Sequence, residues 1–427
     1  MLHHNYTAGE QAEALNRENG SQGFQQGRNA LTQQKGKRKE DNAKTFQALG
    51  APKKGRPAFG DITNAAAAAR HIVSSEEEVA RLSLEHEHSQ QQRSDADEPP
   101  TIPYETSSGR SMQMEVHRPA ASPQWIDIDS ADVGNPMACT DYVESIMDHL
   151  YQAERRRRPL AGYMSIVQTD VHPGMRSILV DWLVEVSLEF KLVSDTLFLG
   201  VSCIDRFLSI QNVSRSQLQL VGVTCMFLAS KYEEIYAPTG EEYSYITDNT
   251  YSKREILRME EIIWGALKFE LTVPTPRTFL RRFIKASAAD WPPSSIWRVQ
   301  HEYLAAYIIE LALPEYSALQ WLPSIIAAAA VLLARHICAI NIPIMRSLQP
   351  WSPTLQHYSG YRPSELRECA TALHVFHVKA SQRTAEAKTA IYEKYAQHRY
   401  HSVAMRLNPP LELAPQLFED PEACMEL

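Results

Sequence analysis

The sequence has no CxxC pair: its six cysteines stand apart at 139, 203, 225, 338, 369 and 424. That spacing excludes a zinc ribbon and a thioredoxin-like redox motif. Scattered cysteines with apolar neighbours in a chain of 427 residues read as reduced core side chains of an intracellular protein. An excess of positive charge is also missing. The formal net charge is −8, so attachment to nucleic acid by bulk charge is not expected. The most apolar stretch, SIIAAAAVLLA at 324 to 334, stops at Arg335 and His336, too short for a bilayer, and reads as a buried core helix. The start, MLHHNYTAGEQAEALNRENG, lacks the basic-then-apolar layout of an export signal. No Ser-His-Asp order, glycine-rich phosphate loop or metal-spaced histidine cluster is found, and His172, His301, His336, His374 and His377 are dispersed. Catalysis, metals, cofactors and membranes are therefore not expected, which leaves a binding protein.

What is present falls into a tail and a helical body. Residues 1 to about 130 are rich in Gln, Asn, Ser, Gly and charge, and bury too little apolar surface to offset chain entropy; disorder is expected there. Two basic islands in it, KGKRK (35 to 39) and KKGR (53 to 56), fit either solvated charge clusters or a nuclear import signal. Order begins near WIDIDS (125 to 130), and strand-like alternation is scarce beyond it. TDYVESIMDHLYQAE spaces Tyr142, Val143, Ile146, Met147 and Leu150 as a helix does, and RRRRP ends that helix at Pro159. Ser194 with Asp195, and Ser252, are candidate N-caps further on. LTVPTP (271 to 276) reads as a stiff linker, because each proline restricts the residue before it. On either side of it a long helix precedes a small-residue one: DRFLS before LVGVTCMFLASK, and IIELAL before SIIAAAAVLLAR roughly 100 residues later. Two bundles, each packed around one such helix, are expected.

The helix MRSILVDWLVEV (175 to 186) is apolar on more than one face. At about 100° per residue, Met175, Ile178, Leu179, Trp182, Leu183 and Val186 form one broad arc. Val180, Val184 and Leu188 cover much of the far side, leaving Ser177, Asp181 and Glu185 as a polar strip. Val180, Leu183 and Val184 are expected to face the bundle, with Met175, Ile178, Leu179 and Trp182 as an outward stripe. Such a stripe marks a docking surface, unless the N-terminal helix or the second bundle covers it. Two carboxylates also fall on apolar arcs: Asp205 beside Leu197, Val201, Ile204 and Leu208, and Glu260 among Ile256, Leu257, Ile263, Trp264 and Leu267. A carboxylate there is costly unless paired. Arg176 is the candidate cation for Asp205, as a structural clasp. Lys231 is the candidate for Glu260, or else a favourable cation at a helix C-terminus.

MRSILVDWLVEV, DTLFLGVSCIDRFLS, LQLVGVTCMFLASKYEEIYAP and YITDNTYSKREILRMEEIIWGALKFELTVPTPRTFLRRF together resemble a mitotic cyclin, most closely the A type. WIDIDS and RRRPLAGYM look like the plant branch, while LTVPTP with RFIKAS is also similar to B-type cyclins. The resemblance implies an all-α protein of two tandem five-helix cyclin folds after a disordered N-terminal tail. The corresponding boundaries are a tail at 1–130, a first fold with a preceding helix at 131–272, a second fold at 273–400 and a C-terminal tail at 401–427. It implies a non-catalytic subunit that activates a cyclin-dependent kinase. Arg176, Asp205, Leu220, Lys231 and Glu260 match the cyclin box's characteristic positions. Lys231 and Glu260 would reach the kinase's mobile regulatory helix, with Tyr142 and Ile146 on the preceding helix adding contacts.

The resemblance further implies that Met175, Ile178, Leu179 and Trp182 hold Arg-x-Leu segments of substrates and inhibitors. Arg215 and Gln219 would border that groove, and Glu185, with Asp248, would meet the peptide's arginine. RPAFGDITN (56 to 64) resembles a destruction box read by a ubiquitin ligase, the anaphase-promoting complex: Arg56, Ile62 and Asn64 fit, and Phe59 stands where leucine is usual. REN (17 to 19) is a poorer relative of the KEN degron. A nuclear and cytoplasmic location follows from the same likeness. The competing classes are a general transcription factor with tandem cyclin folds, which should carry a zinc ribbon and basic folds, and a helical pocket-type scaffold, which has no use for the Lys231/Glu260 pair.

Overall fold

A computed structural model describes residues 125–291, 296–342, 349–384 and 389–420. The destruction-box residues Arg56, Phe59, Ile62 and Asn64, the REN segment and both basic islands lie outside them. No strand occurs among the described residues.

The first bundle comprises α2 (Pro173–Glu189), α3 (Ser194–Leu208), α4 (Leu218–Glu233), α5 (Gly240–Ile246) and α6 (Lys253–Ala266); α1 (Val143–Arg156) precedes it. Every residue of α4 from Leu218 to Ser230 is buried, because α2, α3, α5 and α6 all pack on it. Its small residues let those neighbours approach closely. A Cβ built on Gly222 would sit 2.7 Å from Leu179 Cδ1, so any side chain there would force Leu179 to shift where α2 meets α4. Ser252 caps α6 as expected, and the structure adds a reciprocal box with Glu255. Ser194 does not cap α3. Val193 occupies that position, and Glu234, beyond the end of α4, accepts from Val193 N at 2.8 Å and Thr196 Oγ1 at 2.7 Å.

After the prolines of the linker, the second bundle follows: α7 (Pro276–Ala288), α8 (Ile296–Leu311), α9 (Pro323–Asn341), α10 (Pro353–Ser359) and α11 (Arg367–Gln382). Helix α9 is its centre, packed by α7, α8 and α11. At 19 residues it is long and apolar enough by composition to cross a bilayer. Here it is a core helix: Ala327 to Arg335 is buried throughout. One further helix, α12 (Ala390–Ala396), returns to pack on α2 of the first bundle. Its Lys394 is buried against Glu310 of α8, at 2.7 and 2.8 Å, and Tyr395 donates to the same carboxylate at 2.8 Å.

The chain on either side of the two bundles is anchored in the second. Helix α1 precedes the first bundle in sequence, yet its anchors lie in the second. Tyr151 donates to Ser359 O at 2.9 Å, and Glu154 accepts from Ser324 N (2.9 Å) and Oγ (2.7 Å), capping the first turn of α9. Beyond residue 400, Val403–Arg406 is helical, and Leu417 and Phe418 are buried. Order at WIDIDS also has a cause in the second bundle. Trp125 stacks on His357 (centroids 3.9 Å apart), and Asp129 pairs with Arg282 and Lys285 of α7.

Candidate functional site

The clasp is the most buried ion pair described in the first bundle. Arg176 Nε and Nη2 each donate to Asp205 at 2.6 Å, with side chains only 1% and 2% exposed. Tyr163 OH donates to the same carboxylate at 2.9 Å, and Arg176 Nη1 reaches Leu313 O, beyond α8, at 2.8 Å. Burial by itself disfavours the guanidinium's charge, but the Asp205 carboxylate outweighs it and holds Arg176 above its ordinary pKa. The group is a structural tie between α2, α3 and the second bundle.

Lys231 and Glu260 form the second ion pair, joining the last turn of α4 to α6. It is not closed off: the Lys231 side chain is 40% exposed and Glu260 11%. Lys231 Nζ also sits 4.3 Å above the Phe227 ring, and Trp264 Nε1 donates to Glu260 at 3.4 Å. Trp264 stacks in turn on Phe269, whose ring is held outward by consecutive left-handed residues, Lys268 (φ 53°) and Phe269 (φ 59°). Phe269 is 73% exposed and Ile235, just past α4, 90%. Tyr232 is half exposed and fixed by a 2.6 Å hydrogen bond between its hydroxyl and Thr272. It shares a cleft with His149 and Leu150 of α1, so the α1 surface adjoins the end of α4. Tyr142, just before α1, and Ile146 on α1 are exposed. Large apolar side chains left in water around a half-exposed ion pair make a protein-binding surface.

Sequence reasoning missed Tyr232, Ile235 and Phe269. Phe269 had one signal, its place in the helix-ending LKFE, but only the left-handed turn shows that it points outward. It also missed Glu154 and Glu310. Glu310 lay in plain view as a lone carboxylate in YIIELAL, the pattern that singled out Asp205 and Glu260.

The outward stripe expected on α2 is corrected. Met175 is 5% exposed and Leu179 fully buried, the latter pressed on Gly222; Ile178 is exposed and Trp182 half buried. The wheel's single arc is divided because α4 packs on one side of α2 and α12 on another. Asp181 Oδ1 accepts from Ala390 N at 2.9 Å, which seats α12 on the strip that reads as solvent-facing. Glu185 is half buried, Gln219 buried and Asp248 exposed. Arg215 is engaged by Asp170, from its Nε to Oδ1 at 2.7 Å and from its backbone N to Oδ2 at 2.8 Å.

Two like bundles share a joint and carry a patch of exposed apolar groups around an ion pair, which makes this an all-helical protein of two tandem bundles. Residues 145–272 match the family model for the cyclin N-terminal domain, and residues 274–409 that for the cyclin C-terminal domain. The chain belongs to the cyclin family. It is similar to Cyclin-A2-2 of Arabidopsis thaliana, 48% identical over 286 residues, which are 67% of this chain and 63% of that protein. It is similar also to Cyclin-A3-1 of Oryza sativa subsp. japonica, 45% identical over 289 residues, 67% of this chain and 74% of that one. The match thus spans less than two thirds of the length of the Arabidopsis relative. A viral cyclin from herpesvirus saimiri, known from an X-ray structure, is 22% identical with a TM-score of 0.47, covering 54% of this chain and 96% of the viral one.

Proposed function

We propose that this chain is an A-type cyclin: a non-catalytic subunit that binds and activates a cyclin-dependent serine/threonine kinase during cell division. The half-exposed Lys231–Glu260 pair, joined through Trp264 to the projecting Phe269, carries the reading. An ion pair serving the fold alone needs no collar of exposed aromatic and aliphatic groups. On the kinase side, activation requires that a mobile helix bring its glutamate to the catalytic lysine. An interface that engages only the active arrangement shifts the population toward it. Tyr142 and Ile146 widen the surface from α1. The Arg176–Asp205 clasp keeps the bundle rigid without touching the partner.

Reconstitution with a purified cyclin-dependent kinase and a histone-type substrate tests this. Wild type raises activity; Lys231→Ala and Glu260→Ala lose the activation while their helicity and melting stay nearly unchanged. Normal activation by both folded variants would refute the assignment.

The same reading carries three finer proposals. Arg-x-Leu segments dock on α2, with Ile178, Trp182 and Glu185 at the surface, Met175 and Leu179 as the floor, and Arg215 and Gln219 at the border. Docking there raises the local concentration of substrate beside the kinase. Arg56, Phe59, Ile62 and Asn64 form the destruction box through which the anaphase-promoting complex removes the protein. The basic islands direct it to the nucleus.

A further inference from the structure

RRRR at 155 to 158 ends a helix, but four positive charges are more than that role needs. Arg155 and Arg156 form the last turn of α1, and Arg157 and Arg158 follow it. Cations are favoured at a helix C-terminus, yet the macrodipole there amounts to only about half a negative charge. The neighbouring carboxylates do not absorb the remainder. Glu270 pairs with Arg157 at 3.3 Å, and Glu154 is buried with both its oxygens on Ser324. Arg158 is held by two carbonyls, Leu319 O at 2.8 Å and Gln320 O at 3.0 Å, both through Nη2, so its other donors stay unengaged. Among the described residues, neither Arg155 nor Arg156 has a hydrogen bond or an ion pair. Arg155, Arg156 and Arg158 are all exposed. A chain of net charge −8 thus gathers uncompensated positive charge at one point.

A guanidinium presents paired N–H donors that match a carboxylate or a phosphate. Adjacent residues on a helix point about 100° apart, so Arg155 and Arg156 diverge and cannot close together on one phosphate group. Several carboxylates spaced along a chain suit them better. Nucleic acid is disfavoured by the net charge, and it also has nothing to offer the neighbouring surface. Arg157 and Arg158 line a cleft whose other walls include Pro159, Phe198, Val201 and Trp321. Leu160, next in the chain, is 46% exposed. Apolar surface beside the charges gives a peptide's apolar side chain something to cover.

We propose that Arg155, Arg156 and Arg158 form a docking surface for an acidic segment of a partner protein, in which several Asp or Glu residues flank an apolar one. The carboxylates take the free guanidinium donors, and Arg158, already fixed by its carbonyls, loses little freedom on binding. The surface uses none of the residues assigned to kinase activation or to docking on α2, and it does not rest on the kinase reading.

Fluorescence anisotropy with the full chain tests this at physiological salt, where charges beyond a Debye length are largely screened. A fluorescein-labelled peptide repeating Glu-Glu-Asp-Leu should bind. Arg155→Gln, Arg156→Gln and Arg158→Gln together should weaken that binding at least about tenfold, since exposed charge pairs act weakly one by one and strongly only as a set. Removing three exposed arginines elsewhere, by Arg254→Gln, Arg258→Gln and Arg406→Gln, should leave the affinity within about twofold. The same repeat with Gln and Asn for Glu and Asp should not bind, and one phosphoserine in that neutral repeat should bind more weakly than the acidic peptide. Far-UV circular dichroism checks that the variants fold. Should the triple variant fail to fold, Arg155→Gln with Arg156→Gln, which break no hydrogen bond, should still weaken binding about threefold or more. No binding by wild type, unchanged affinity in the folded variants, equal weakening by the distant arginines, or tighter binding of the phosphoserine peptide would overturn the proposal.

Discussion

Replacing Asp205 by alanine would leave the Arg176 guanidinium inside the protein with no anion, only Leu313 O and the Tyr163 hydroxyl as neutral partners. The pair is 1% and 2% exposed, so the guanidinium is almost entirely withdrawn from bulk water in the folded chain. Removing one member of a buried ion pair costs about 3–5 kcal/mol, because the other charge stays buried and unpaired. Tyr163 would lose its acceptor as well, which places Asp205→Ala at the upper end of that range. Against a total stability of about 5–15 kcal/mol for a domain, this is a large share. Urea unfolding followed at 222 nm measures it, and a cycle with Arg176→Met separates the coupling from the loss of packing. The double variant should be less destabilised than the sum of the single ones by about 2 kcal/mol or more, since neither charge is then stranded. Additive losses, or a cost below about 1 kcal/mol for Asp205→Ala, would show that the clasp does not hold the fold as described.

Burial pushes His301 and His377 down to about 3, with Arg335 adding to the effect on His301 and His374 on His377. Both stay neutral in the folded chain while the unfolded chain takes up protons near pH 6.5. Their contribution is therefore complete above about pH 6.5 and lost as the pH falls toward 3, with a slope of up to about 1.4 kcal/mol per pH unit for each. Urea midpoints between pH 7 and 5 should fall accordingly, and His301→Gln with His377→Gln should flatten that slope. Gly222→Ala drives a methyl into Leu179 and should destabilise by about 1–3 kcal/mol, measured by thermal melting; an unchanged melting temperature would mean that α2 and α4 can part at no cost. Phe269→Ala should leave stability within about 0.5 kcal/mol but weaken binding to the kinase by about 2 kcal/mol or more in calorimetry, because the ring is exposed in the free chain.

The sequence by itself determined the class and the count of the parts. Helical spacing without strand alternation, two small-residue helices each following a long one, and prolines between the halves specify two helical bundles in tandem, because these patterns act over a few residues. The costliest pairings were legible too. Asp205 and Glu260 sit on apolar arcs, and the energy of a buried carboxylate demands a cation, which the structure supplies as Arg176 and Lys231. Which apolar residues meet water was decided only by tertiary packing. Met175 and Leu179 share an arc with Ile178 and Trp182 on a helical wheel, yet Leu179 is sealed by Gly222, and α12 arrives on α2 from about 200 residues away to bond Asp181. Helix α1 was likewise readable as a helix, but not as one anchored in the second bundle by Tyr151 and Glu154. The outward Phe269 depends on two left-handed residues that carry no glycine to announce them. A helix's own periodicity fixes which side chains share a face; what covers that face depends on contacts between residues distant in the chain, and no local pattern encodes those.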